Sequence, residues 1–134
     1  MDGDTREAVA ERAGRRCEYC LLKEDDDVDF FHVEHVIARK HGGSDDPSNL
    51  AFACQYCNLH KGPNLSGIDP EGDPQTAVRL FNPRVDTWGE HFYFDGPSIL
   101  GASPVGRATV ACLNMNSDQR QTIRRLYGYT DAFE

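Results

Sequence analysis

A chain of 134 residues, 39% hydrophobic and 27% charged, is long enough for one domain with a modest core and too short for two independent ones. We therefore expect a single compact domain over residues 1–134, its thin core helped by a staple such as a metal ion; the formal charge of −8 argues against a protein that coats nucleic acid through its overall field. No apolar run approaches the ~18 residues of a membrane span, and residues 1–30 alternate charges without an apolar leader, so no membrane contact or secretion is expected and the default location is cytoplasmic.

Residues 5–16, TREAVAERAGRR, read as a short helix with Thr5 as N-cap and Gly14 near its end, delivering the chain to Cys17. Lys23–Asp29 is an acidic loop that reads as a solvated turn. The β-branched and aromatic run Val28–Glu34 predicts a strand with His35 at its end. Gly42, Gly43, Asp45, Asp46 and Pro47 make 36–48 a loop, and Asn49–Ala53 predicts a second strand. Residues 54–62, CQYCNLHKG, fit a helix entered directly from that strand. Residues 63–75 are a proline-containing connector with a turn at 69–73. The runs 78–82 (VRLFN) and 91–96 (HFYFDG) predict a hairpin. One or two helices follow over 104–127, with Pro104 in a first turn and Ser117 as an N-cap. The class is α+β: a strand–loop–strand–helix core over 17–62 and a C-terminal appendage of hairpin and helices over 76–130.

Four of the five cysteines form two CxxC pairs, Cys17/Cys20 and Cys54/Cys57, a spacing that lets two thiolates reach one tetrahedral ion from a tight turn. Two such knuckles supply four ligands for a structural zinc, and the intervening 33 residues must return the chain to its start by a folded detour. The alternative of two disulfides suits a chain without a secretion signal poorly. Four thiolates leave no open position, so this zinc holds the fold and the chemistry lies elsewhere. Cys112, between Val110, Ala111 and Leu113, reads as core, with a reactive or liganding role as the alternative.

The segment 31–68 balances Arg39, Lys40 and Lys61 against Glu34, Asp45 and Asp46 and holds four of the five histidines, so acidity is lowest there. If its two strands pair, His32, Glu34, His35, Asn49, Asn58, His60 and Lys61 are able to converge, with Glu34 and His35 beside the first turn of the helix. His32 and Glu34 share a strand face, which offers His32 as a metal ligand or its supporting partner, or as a packing residue. Lys61 and His60 follow Asn58 within a helical turn and are candidate phosphate contacts. Arg39, Lys40 and His41 either track a DNA backbone or form a solvated loop. Arg107, Arg120, Arg124 and Arg125 similarly offer a second DNA contact, or a helix face packed through Val105, Ile123 and Leu126.

CEYC, then HVEHVIARKHGG, then NLAFACQYCNLHKG resembles the HNH endonuclease family over residues 17–62: a zinc knuckle, an acid–His pair, a Gly-Gly loop, an Asn-Leu strand, a second knuckle and Asn-x-x-Lys. PNLSGIDP and the later Trp88–Phe92 segment resemble its compact bacterial and phage-associated branch. The resemblance implies a small ββα-metal (His-Me finger) core that hydrolyses DNA. By position it makes His35 the general base, Glu34 and Asn58 ligands of one divalent cation, and Asn49 the group that orients the loop bearing His35. An imidazole can take a proton from water near neutral pH, and hard oxygen ligands favour Mg²⁺ or Mn²⁺, with Ni²⁺, Co²⁺ or Zn²⁺ as the alternatives beside histidine. The products implied are a 5′ phosphate and a 3′ hydroxyl, and no small-molecule cofactor is required. Two positions depart from the family form: Glu34 stands where Asp is usual and Ala38 where Pro is usual. The rival readings are a zinc-stabilised DNA-binding module without cleavage and an interaction protein that reuses the scaffold.

Overall fold

The computed structural model describes residues 2–129. They fall into two compact units, one of residues up to 63 together with 82–85, the other of 64–81 together with 86 onward.

The first unit opens with α1 (Gly3–Arg12), capped by Asp2 and not by Thr5: the Asp2 carboxylate accepts from the Thr5 amide at 2.7 Å. The acid one turn earlier satisfies a free N–H that Thr5 would have left open. The helix stops before Gly14 and Arg15, both at positive φ. It buries Val9 and Ala10, and Arg12 reaches the carbonyls of Pro47 and Leu50 at 2.9 and 2.5 Å.

β1 (His32–His35) pairs antiparallel with β2 (Leu50–Ala53), His32 facing Ala53 and His35 facing Leu50. The expected strand start at Val28 is a correction. Val28 and Phe30 are 99% and 83% exposed, and four-residue β2 offers no partner that far back. Every residue of β2 is buried, and Phe52 packs on Phe31 with ring centroids 5.2 Å apart. The chain then enters α2 (Gln55–Lys61) at once, Cys54 serving as N-cap through its sulfur, which accepts from the Cys57 amide at 3.3 Å. Strand, loop, strand and helix thus assemble a ββα unit, as the sequence predicts.

The second unit corrects the expected hairpin. Ser66–Ile68 (β3), inside what read as a connector, pairs with Ala77–Arg79 (β4), and Phe92–Asp95 (β5) pairs with Ser98–Gly101 (β6) around a turn at Gly96, φ 58°. The runs 78–82 and 91–96 therefore each find a nearer partner. Between them lies the short α3 (Trp88–His91), whose Trp88 ring sits against Phe92 and Phe94 at 5.1 and 5.4 Å.

Two helices complete this unit: α4 (Pro104–Cys112), capped by Ser103, and α5 (Asp118–Leu126), capped as expected by Ser117. Gly106 faces the His91 carbonyl so closely that a Cβ would fall 1.9 Å from its oxygen. The arginines expected on an open face of α5 lie partly inside it. Arg120 and Arg124 are buried, and Arg124 donates to the carbonyls of Pro97 and Met115 at 2.5 and 2.7 Å, whereas Leu126 is exposed. Arg107 forms a two-bond pair with Asp69, both contacts 2.9 Å, which holds the Asp69 carboxyl below its usual range. No helix among the described residues is long and apolar enough to cross a membrane.

Candidate functional site

The two CxxC pairs meet in the first unit. The Sγ atoms of Cys17, Cys20, Cys54 and Cys57 all lie within 4.8 Å of one another, and all four residues are buried. A tetrahedral ion bound at the usual Zn–S length of about 2.3 Å has S···S edges of about 3.8 Å. The Cys20–Cys54 separation is 3.8 Å. Backbone amides already point at the sulfurs: Tyr19 and Cys20 donate to Cys17 at 3.4 and 3.5 Å. Leu21 at φ 66° tightens the first knuckle, where Cys17 N donates to Leu22 O at 2.9 Å. The donor set and spacing fit a metal ion.

Next to the knuckles, β1, its following loop and α2 enclose an open cleft of about 570 Å³ lined by Glu34, His35, Ala38, Arg39 and Asn58 among others. Glu34 is 5% exposed on β1, where it accepts from the Tyr19 hydroxyl and lies 3.2 Å from the Lys61 ammonium. Burial pushes its carboxyl up, while Lys61 and Tyr19 pull the other way. Tyr19 is wholly buried; burial and the neighbouring Glu34 carry its phenol well above the usual range, so it stays a donor. His35 faces the cleft with its Nε2 held 2.7 Å from Asp45 Oδ1. Asp45 also accepts from Arg39 Nε at 3.0 Å. Asn49 clasps the loop, donating to the carbonyls of Ile37 and Ser44 at 3.0 and 2.8 Å and accepting from the Ile37 amide at 2.9 Å.

The remaining sequence candidates separate. Lys61 is 2% exposed and turned inward, its ammonium 3.0 Å from the Val36 carbonyl, which removes it from the surface a phosphate would touch. His32 leans toward Gln55 at 3.4 Å and does not line the cleft. His60 stacks on Tyr56 with centroids 4.1 Å apart, on the exposed side of α2. Arg39, Lys40 and His41 form an exposed 3-10 turn. Cys112 is half-buried, with the Asn64 amide 3.7 Å from its sulfur. Sequence reasoning missed Tyr19 and Asp45. The aromatic between two ligand cysteines signals the first, and an acid two residues beyond the Gly-Gly pair signals the second.

Residues 17–64 match the family model of the HNH endonuclease, in agreement with the motif resemblance. The chain is 26% identical over 133 residues to the Septu protein PtuB of Bacillus thuringiensis, a match covering 95% of this chain and 47% of that protein. The chain thus spans about half the length of this curated relative. No solved structure matches it significantly.

Proposed function

We infer, from the match of residues 17–64 to the HNH endonuclease family and the meeting of His35, Glu34 and Asn58 at one cleft, that the first unit is a metal-dependent DNA endonuclease. The single observation that carries this reading is that shared cleft, placed beside a four-cysteine cluster suited to structural zinc. Cys17, Cys20, Cys54 and Cys57 would hold that zinc, which with four thiolate ligands would close the ββα unit and leave no position for the chemistry.

His35 is the general base: it takes a proton from the water that attacks the phosphodiester phosphorus, and the bond to the 3′ oxygen breaks, that oxygen taking a proton from solvent, to leave 5′-phosphate and 3′-hydroxyl ends. Glu34 and Asn58 would hold a divalent cation, Mg²⁺ or Mn²⁺ by their oxygen donors, which supplies a Lewis acid for the crowded phosphate charge and the departing oxygen. A carboxylate offers about four lone-pair directions. Tyr19 and Lys61 each engage one Glu34 oxygen and orient it, leaving directions open toward the cleft. Asn49 keeps the loop after His35 in place, and Arg39, beside the cleft, meets the incoming phosphate together with the exposed Lys40. His60 lies outside the cleft lining and takes no part in the proton transfer.

The engagement of both Glu34 oxygens by donors of this chain favours a second reading, a zinc-stabilised DNA-binding module without cleavage. Supercoiled plasmid distinguishes them. Zinc-loaded protein is expected to nick it with Mg²⁺, Mn²⁺ or Ni²⁺ and not in EDTA, and His35→Ala to lower the rate by about 10²-fold or more with folding intact. Equal cleavage, or none, by both proteins across all metals would sink the catalytic assignment.

A further inference from the structure

The loop after β1 carries an acid that the reading above leaves without a role. Asp45 Oδ1 lies 2.7 Å from His35 Nε2, and Arg39 holds the same oxygen through Nε at 3.0 Å and a terminal nitrogen at 2.9 Å. The fold fixes this contact from both sides. Asn49 pins Ile37, two residues after His35, and Ser44, the residue before Asp45. Gly43 passes so near the Ile37 carbonyl that a Cβ there would fall 1.6 Å from its oxygen.

We propose that Asp45 is a positioning residue for His35: its carboxylate takes the Nε2–H hydrogen bond, fixes the imidazole in the tautomer whose lone pair is on Nδ1, and so makes Nδ1 the atom that receives the proton. The catalytic consequence rests on the nuclease reading; the tautomer rests on the contact alone. A carboxylate only accepts, so the ring nitrogen bonded to it must donate, and a neutral imidazole has one N–H to give. His35 and then Arg39 hold the Asp45 carboxyl below its usual range, so it is ionised at neutral pH. Among the described residues, the His35 side chain makes its hydrogen bond through Nε2 alone, which leaves Nδ1 available to water. Loss of a carboxylate that orients a catalytic histidine by such a bond strands part of the population in the wrong tautomer and slows turnover.

The test uses the zinc-loaded chain labelled with nitrogen-15 in its histidines, read at a pH at which the nitrogen signals themselves report a neutral ring. In the parent, His35, assigned by comparison with His35→Ala, is expected to show a protonated Nε2 and a bare Nδ1. Asp45→Ala is expected to move both signals toward a tautomer mixture, and Asp45→Asn to do so at least as far, because its amide nitrogen can donate to the ring where a carboxylate only accepts. On plasmid, Asp45→Ala and Asp45→Asn are each expected to lower kcat by about 10-fold or more with KM for DNA within about 2-fold of the parent. An unchanged tautomer in Asp45→Ala, with the Ile37 and Ser44 amide signals in place, overturns the proposal, as does an equal kcat in all three proteins. If the parent cleaves with none of the metals, the nuclease reading fails, and the nitrogen signals by themselves uphold or overturn the positioning contact.

Discussion

Lys61 shows how a residue type at a motif position can serve a different end from the one its charge suggests. An ammonium that is 2% exposed and 3.2 Å from a carboxylate 5% exposed is one half of a buried ion pair. Removing one half of such a pair strands the other. Lys61→Met is therefore expected to cost about 3 kcal/mol by denaturant unfolding. The sign with pH follows from Glu34. Its folded carboxyl already lies above the unfolded value, so its contribution is full at low pH and is lost as pH rises. Deleting Lys61 removes a group that pulls the carboxyl down, so the deficit of the variant should grow as pH rises and shrink as it falls. A deficit independent of pH would mean that Glu34 does not feel the lysine charge. The meeting of the four cysteines in one cluster, and of Glu34, His35 and Asn58 at one cleft, was legible because their spacing is tied to the hairpin and helix. The inward turn of Lys61 and of Arg124 was not, since a cation on a short helix gives no local sign of which carbonyls will reach it.

Among the elements, β1 carries one departure from the family form, Glu34, and the loop between β1 and β2 carries the other. Ala38 stands at φ −61° and ψ 151°, a backbone that proline adopts without strain. Ala38→Pro is thus expected to stabilise the protein by about 0.5–1 kcal/mol, chiefly by restricting the unfolded chain, read as a raised midpoint in denaturant. A loss of stability would show that the residue before it cannot tolerate the proline ring. The ββα order was legible from two signals together, β-branched residues before His35 and the knuckle after Ala53. The partners of β4 and β5 were not. Strand-like composition in 78–82 and 91–96 says that each run pairs, and nothing in it says with which neighbour. The register of β5 with β6 depends on the turn at Gly96, and β4 finds its partner, β3, inside a segment whose prolines read as irregular.

For the molecule as a whole, the division into two units makes metal removal a selective perturbation. α2 has seven residues, too few to persist alone, and its N-cap is one of the four cluster sulfurs. We expect about one zinc per chain by metal analysis, and stripping it under reducing conditions to abolish the amide signals of β1, β2 and α2 before those of β5, β6 and α4. Simultaneous loss of both sets would show that the second unit depends on the first. The first knuckle carries a further consequence. Glu18 donates its amide to the Phe52 carbonyl at 2.9 Å and takes the Phe52 amide on its carboxylate at 2.8 Å, while Tyr19 grips Glu34. The two residues between Cys17 and Cys20 are therefore no interchangeable spacer. A graft that moved only the cysteines into another scaffold would import the ion and leave behind the alignment of the strand and the aim of its acid.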